Sequence, residues 1–381
     1  MSVKLFACGD IVNTQKKSGL VCSEELAGII RSADYSVCNF EAPIEGLGSP
    51  IVKSGPAIEQ KESTLAGLKD EGFDLALLAN NHMMDFGAQA MQETKEKAKH
   101  AGLDTVGAGL GFEEAYQPLI KDIQGLKFGI INACEAQFGV LDYFQDKQTP
   151  GYAWINHNQI DKTILKLKQD CDFILVFSHA GLENYTIPQK EWRERYQHLC
   201  DLGADVVIGA HPHVPQGHEE HNGSLIFYSL GNFYFDWGRH ANNEDSSYAV
   251  MLKFEKDNQV TFEPVYHITD VDKLEVTLAK PDKAINLQEL TEQLDEKYQA
   301  LHDEMTLKAY QGVKPNLLRA LSPIPQGAGL KSTLKELLAT LLGRRKNIDK
   351  PTLSLHLLRN EAYYFVARNA LEINQKARLK K

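Results

Sequence analysis

The sequence predicts an α/β sandwich with mixed sheets, followed by a helical appendage. Three observations carry that reading. Short apolar, β-branched runs such as Asp205-Val206-Val207-Ile208 alternate with helical stretches through roughly the first two-thirds of the 381-residue chain, the alternation expected where helices cover sheets. Two strands of alternating pattern, 248–254 and 260–266 around Asp257-Asn258, then close this part as an antiparallel hairpin. Beyond about Val271 the character changes to charged, amphipathic helices. Residues 1–270 therefore read as a body, and 285–381 as a C-terminal helical appendage.

Residues 3–8 form the first predicted strand, ended by Gly9-Asp10. A helix over 24–31 leads to a strand over 34–40, which ends in Asn39-Phe40-Glu41. Pro43, Gly46, Gly48, Pro50, Gly55 and Pro56 make a long loop, the kind that walls or lids a site. A helix over 63–72 precedes a strand over 74–79 that runs into Asn80-Asn81-His82, and Met83 to Gly87 lead into a helix over 88–101. Asparagine suits turns, but two asparagines and a histidine are more than a turn needs.

Further strands fall at 104–106 and 126–132, then an aromatic-rich loop over 138–154 and a helix over 157–170. The strand over 173–178 ends at His179. A helix over 191–203 feeds the strand 205–208, and Gly209 leads to His211-Pro212-His213. Proline biases its predecessor towards extended geometry, so an extended His-Pro-His is expected to hold two imidazoles on a stiff loop at the sheet's C-terminal edge. A strand over 224–229 ends in Leu230-Gly231-Asn232-Phe233. In the appendage a helix covers 287–311, Pro315 and Pro323 to Gly329 read as a linker, and helices cover 332–344 and 352–378.

The net charge of −10 is uneven: residues 331–381 carry +8 and the rest −18. An acidic body excludes nucleic acid as a partner. The last helix is expected to dock by a broad apolar face and expose a basic edge of Arg359, Arg368, Lys376 and Arg378. Contact of that edge with an anionic polymer or an anionic membrane is the sharper use. No apolar run is long enough for a transmembrane segment. The N-terminus reads as a strand, not a signal peptide, and the six cysteines are scattered without CxxC pairs. Together these predict a reducing cytoplasm and no disulfide framework.

Asp10, Glu41, Asn81, His179, His211 and His213 all lie just after strands. Two carboxylates, an amide oxygen and three imidazoles suit Mn, Fe or Zn rather than Ca. Six ligands exceed what one open catalytic ion takes and suit two ions about 3.5–4 Å apart with one carboxylate shared. His82 beside them is placed as a general acid.

The motifs Gly9-Asp10, Asn39-Phe40-Glu41, Asn80-Asn81-His82 with Asp85 and Gly87, His179-Ala180-Gly181 with Glu183, His211-Pro212-His213 and Tyr228 to Phe233 resemble the CapA-type poly-γ-glutamate capsule-biosynthesis family, itself similar to calcineurin-like metallophosphoesterases. The resemblance spans about residues 3–270. It implies a four-layer αββα sandwich with a dimetal site. By it, Asp10 and His213 serve one ion, Glu41 bridges, Asn81, His179 and His211 serve the other, and His82 is the acid. Two departures stand out. The phosphoesterases have a histidine where this chain has Val12, which leaves one ion a ligand short. Their acidic residue after the motif histidine is here Met83, so Asp85 takes over orienting His82. Many members carry an N-terminal membrane anchor, and none is expected from this sequence. The function implied is hydrolysis of a phosphoester or of a γ-glutamyl amide in a polyanionic polymer, with polymer-synthesis proteins as partners. The alternative is a non-catalytic scaffold that holds polymer or enzyme.

Overall fold

The computed structural model describes residues 2–256, 259–321, 330–342 and 349–379. The Asp257-Asn258 turn and the linker from Pro323 to Gly329 lie outside the described residues. Two sheets stack face to face. In the first, Ser2–Val12 lies between Tyr35–Phe40 on one side and Ser246–Glu255 on the other. Leu75–Leu77 and Asp104–Val106 extend it in parallel beyond Tyr35–Phe40; Val260–Asp270 and Glu275–Leu278 extend it in antiparallel fashion beyond Ser246–Glu255. The short strand Asn232–Phe235 also pairs with the end of the first strand. In the second sheet, Phe173–His179 lies between Leu126–Cys134 and Val206–Ala210, all parallel. Ser224–Phe227, His218–His221 and Leu119–Ile123 complete it. The last two strands were not anticipated, nor was the small sheet that Val140–Leu141 and Gly151–Ala153 form with Ala108–Gly109 inside the aromatic-rich loop.

Side chains alternate across a strand, and the cores follow that rule. Leu5 and Ala7 face Phe128, Ile130, Phe173 and Leu175 between the sheets. Phe6 and Cys8 point the other way, beneath Leu26, Ile30, Leu65 and Leu68 of the helices Glu24–Arg31 and Ser63–Glu71. On the second sheet Ile174, Val176 and Val207 face Ile160, Ile164, Trp192 and Tyr196 of the helices Asn158–Asp170 and Lys190–Leu202. The layers are helix, sheet, sheet, helix: a four-layer αββα sandwich with mixed sheets. Parallel strands buried on both faces read as near-continuous apolar runs, which is why they were visible in the sequence.

The appendage departs from expectation in two places. The helix expected over 287–311 is two, Leu287–Glu292 and Tyr298–Leu321. The second runs through Pro315, because Met305, Ala309 and Val313 bury against Leu182, Ile187, Leu357 and Val366; that packing outweighs the backbone bond a proline removes. The helix expected over 352–378 breaks at Asn360 into Lys350–Arg359 and Glu361–Leu379. Asn360 leaves helical geometry and its Oδ1 accepts from Tyr363 N at 2.8 Å, capping the second piece. Arg368, Lys376 and Arg378 are exposed as expected, whereas Arg359 lies over the Phe138 ring, 5.6 Å from its centroid. Glu361 is the anchor: its carboxylate accepts from Ala136 N at 2.7 Å, Trp154 Nε1 at 2.9 Å and Asn156 Nδ2 at 2.8 Å. Among the described residues no helix is long and apolar enough to cross a membrane.

Candidate metal centre

The carboxyl ends of the parallel strands of both sheets meet at one place, where ligands of α/β folds bind. Asp10 reaches it because the first strand shifts register between Ala7 and Asp10 while passing from one neighbour to the next. Gly9 is required there: a Cβ would lie 1.8 Å from the Gly231 carbonyl oxygen. Asp10 N donates to that same oxygen at 3.2 Å. Such irregularities recur beside functional sites because they re-aim a side chain.

Asn80 and Asn81 divide their labour. Asn80 makes the turn: its Oδ1 accepts from His82 N at 3.2 Å and Met83 N at 2.9 Å, and its Nδ2 donates to the Phe40 carbonyl at 2.9 Å. Asn81 faces inward, its Oδ1 at 3.0 Å from His179 Nε2. His211 Nδ1 lies 3.0 Å from the same nitrogen, and Glu41 Oε1 3.5 Å from it. His213 Nδ1 is 3.5 Å from Asp10 Oδ2, and His179 Nδ1 is 3.7 Å from Asp10 Oδ1. All six residues expected as ligands thus converge, each under a tenth exposed.

One expectation is corrected. His211 and His213 have φ of 95° and 61°, so the His-Pro-His loop is not extended. Non-glycine residues at positive φ cost about 1–3 kcal/mol and persist where surrounding contacts fix them. Here His211 N donates to Asp10 Oδ2 at 3.2 Å, and His213 Nδ1 sits 2.9 Å from Asn232 Oδ1. Those contacts override the local preference before proline.

Burial, with Glu41 close by, pushes the Asp10 carboxyl up to about 6. Burial lowers His179 to about 4 and holds His211 and His213 below the ordinary imidazole value. Burial, then Glu183, raises Glu41 well above the usual carboxylate range. Acids held back from ionising beside neutral imidazoles make a donor set short of positive charge. Glu41 shows the shortfall most directly: it is fully buried and, among the described residues, neither carboxylate oxygen has a hydrogen-bond partner. Two sets of donor atoms lie within 4.8 Å of one another, Asp10 with Glu41 and His179, and Glu41 with His211 and His213. Glu41 belongs to both.

His82 and Asp85 form a dyad at the rim. His82 Nδ1 is 2.6 Å from Asp85 Oδ2, which also accepts from Ile58 N at 2.8 Å. Lys53 ion-pairs with the other Asp85 oxygen. Lys53 comes from the long loop read as a wall, and its side chain is only 7% exposed there. Val12, the departure from the resembled pattern, packs with Ala42, Ile58 and Phe235 and offers no ligand atom.

Sequence reasoning missed several residues. Asn39 Nδ2 donates to Asp10 Oδ1 at 2.7 Å and lies 3.0 Å from His179 Nδ1. Glu135 is fully buried, with Oε1 3.8 Å from His211 Nε2. It directly follows the strand Leu126–Cys134, so the strand-end rule that found the others applied to it too. A cavity of about 440 Å³ opens over the centre, lined by Asn81, His82 and His213 and, unexpectedly, by Asn316, His356, Asn360 and Tyr363 of the appendage.

A family model described as "Bacterial capsule synthesis protein PGA_cap" matches residues 4–237. The chain belongs to that family. This PGA_cap member is 32% identical over 216 residues to "Capsule biosynthesis protein CapA" of Bacillus anthracis, a match covering 55% of this chain and 52% of that protein. The chain thus spans about half the length of that relative. It is 30% identical over 280 residues to "PGA biosynthesis protein CapA" of Bacillus subtilis (strain 168), covering 73% of this chain and 71% of that one. Among solved structures, the calcineurin-like phosphoesterase YfkN from Bacillus subtilis aligns at 13% identity and a TM-score of 0.42, covering 80% of this chain and 98% of that chain. The PGA_cap match includes all six converging residues and the His82–Asp85 dyad, and ends before the appendage residues that line the cavity.

Proposed function

We propose that this chain is a metal-dependent hydrolase connected with capsule-polymer biosynthesis, cleaving a phosphoester or a γ-glutamyl amide bond. The observation that carries the reading is the Glu41 carboxylate, fully buried, with neither oxygen hydrogen-bonded among the described residues, and shared by two sets of further ligand atoms. A buried polar group left unsatisfied costs about 1–3 kcal/mol, and a cation held by Glu41 would offset that cost. Asp10, Glu41, Asn81, His179, His211 and His213 would hold one or two Mn, Fe or Zn ions. Such ions polarise the scissile group and supply a water-derived nucleophile near neutral pH.

The chain's own residues do the rest. Asn39 fixes Asp10 and His179, and Asn232 fixes His213, so the donors are pre-set rather than recruited. Asp85 engages His82 Nδ1, which leaves Nε2 as the nitrogen that hands a proton to the leaving group. Lys53 pairs with Asp85 and keeps that carboxylate from being an unpaired buried charge. The capsule connection rests on family membership and on the names of the relatives. A cytoplasmic location, with an anionic polymer or polymer-synthesis proteins as partners, completes the proposal.

The test is a hydrolysis screen of phosphomonoesters, phosphodiesters and γ-glutamyl peptides with chelator-treated and Mn-, Fe- or Zn-reloaded protein. Cleavage that appears on reloading supports the reading. Full metal uptake with no cleavage across the screen favours the non-catalytic scaffold instead.

A further inference from the structure

The segment Glu135-Ala136-Gln137 directly follows the strand Leu126–Cys134 and supplies none of the six converging ligands. It is nevertheless tied to them. Glu135 N donates to the His179 carbonyl at 3.0 Å. The Glu135 carboxylate is fully buried. Its Oε2 accepts from Gly181 N at 3.1 Å, and its Oε1 from Gln137 Nε2 at 2.8 Å. Oε1 also stands 3.8 Å from His211 Nε2.

The two ring nitrogens of His211 face different neighbours. Nδ1 lies 3.0 Å from His179 Nε2, within the ligand set. Nε2 faces Glu135 Oε1 and, at 3.5 Å, the amide nitrogen of Gln137. A neutral imidazole that gives its Nδ1 lone pair to a cation carries its proton on Nε2. That buried N–H then needs an acceptor. The Gln137 nitrogen is a donor, an assignment fixed by its bond to Glu135, which leaves Glu135 Oε1 as the acceptor. The contact is longer than a hydrogen bond, and contacts at such sites tighten when the ligand enters. The segment is clamped from outside the body: Glu361, the first residue of the helix Glu361–Leu379, accepts from Ala136 N at 2.7 Å.

We propose that Glu135 is a positioning residue for His211: it accepts from Nε2–H, keeps Nδ1 aimed at the cation, and is itself held in place by Glu361 of the C-terminal helices. The proposal rests on the metal reading of the site and adds a residue that touches the ligand rather than the ion. Glu135 lies within the stretch matched by the family model and Glu361 beyond it. Docking of the C-terminal helices thereby becomes a condition for full strength at the ion that His211 holds.

Two measurements on full-length protein test this. In Zn-loaded wild type with ¹⁵N-labelled histidine rings, long-range ¹H–¹⁵N correlation should show His211, identified by its loss in His211→Gln, ligated through Nδ1 and protonated on Nε2. Ligation through Nε2 overturns the proposal. This readout needs no change at Glu135, so it decides even if a Glu135 variant is unstable. In chelator-competition titrations with Mn and Zn, Glu135→Gln should weaken binding of one ion by about 10–100-fold, the worth of a group that orients a metal ligand. The metal-free Tm should stay near wild type. Glu361→Gln, whose amide cannot accept from all three of its donors, should weaken the same ion to a smaller degree. Unchanged affinity in Glu135→Gln overturns the role of Glu135 while leaving the metal reading intact. Unchanged affinity in Glu361→Gln overturns the link to the C-terminal helices. A wild type that takes up no metal overturns the metal reading and the proposal together.

Discussion

Glu41→Gln separates a metal ligand from a structural residue. Glutamine keeps the shape but cannot serve as a shared anionic ligand. Among the described residues the Glu41 side chain has only the 3.5 Å contact with His179 Nε2 to lose, and burial already favours its neutral form. Metal-free wild type and variant should therefore melt within about 2 °C of each other. The metal-loaded proteins should differ. A ligand at a thousand times its Kd stabilises the fold by about 4 kcal/mol. With an unfolding entropy of about 2.1 cal/mol/K per residue, 4 kcal/mol raises the Tm of a 381-residue chain by about 5 °C. Outer-shell partners are worth about 10–100-fold in metal affinity, and a shared ligand is worth at least the upper figure. A hundredfold loss leaves about 1.4 kcal/mol of that stabilisation, a shift of about 2 °C. Thermal scans with and without Mn or Zn, at equal metal, read this directly. If the variant keeps the full metal-induced shift, or if its metal-free form melts several degrees low, the reasoning about Glu41 is wrong.

Three further outcomes are expected. His82→Ala should keep metal content and Tm near wild type while lowering hydrolysis of any cleaved substrate by about 10²–10⁴-fold, the usual worth of a general acid, and equal turnover would remove His82 from the chemistry. Asp10 is pushed up to about 6 from 3.8, so its own contribution to metal-free stability should fall as pH rises from about 4 to 6, against the rise contributed by the lowered histidines, and Asp10→Asn should remove that fall; metal affinity, which needs the ionised carboxylate, should rise over the same window. Urea melts of wild type and Asp10→Asn without metal check the first sign and metal titrations the second, and a metal affinity that is flat from about pH 4 to 6 would contradict the reasoning. Glu361→Ala strips three donors of their acceptor at about 1–3 kcal/mol each, so limited proteolysis should release the C-terminal helices well before the body, and co-degradation of the two would show that Glu361 is not the anchor.

The alternation of strand and helix was legible because parallel strands buried on both faces leave unbroken apolar runs, as in Val206-Val207-Ile208. The converging residues were legible because each directly follows such a run. The His-Pro-His conformation was not, because contacts to Asp10 and Asn232, far off in sequence, overrule the local bias before proline. The break at Asn360 was hidden because helical periodicity continues on both sides of it; only the buried cap gives it away. Lys53 looked like one charge in a long loop until the fold brought it to Asp85. The reach of the appendage to the cavity depends on tertiary packing at Glu361 and along Met305, Ala309 and Val313, which no local pattern encodes.

The most direct measurement is anomalous diffraction at the metal edge from crystals of wild-type protein loaded with Mn or Zn, with elemental analysis of the same preparation. The account predicts at least one anomalous peak within coordination distance of Glu41, and a stoichiometry of one to two ions per chain. A fully soaked crystal with no peak beside Glu41, or with peaks only at surface histidines such as His221 and His198, would contradict it.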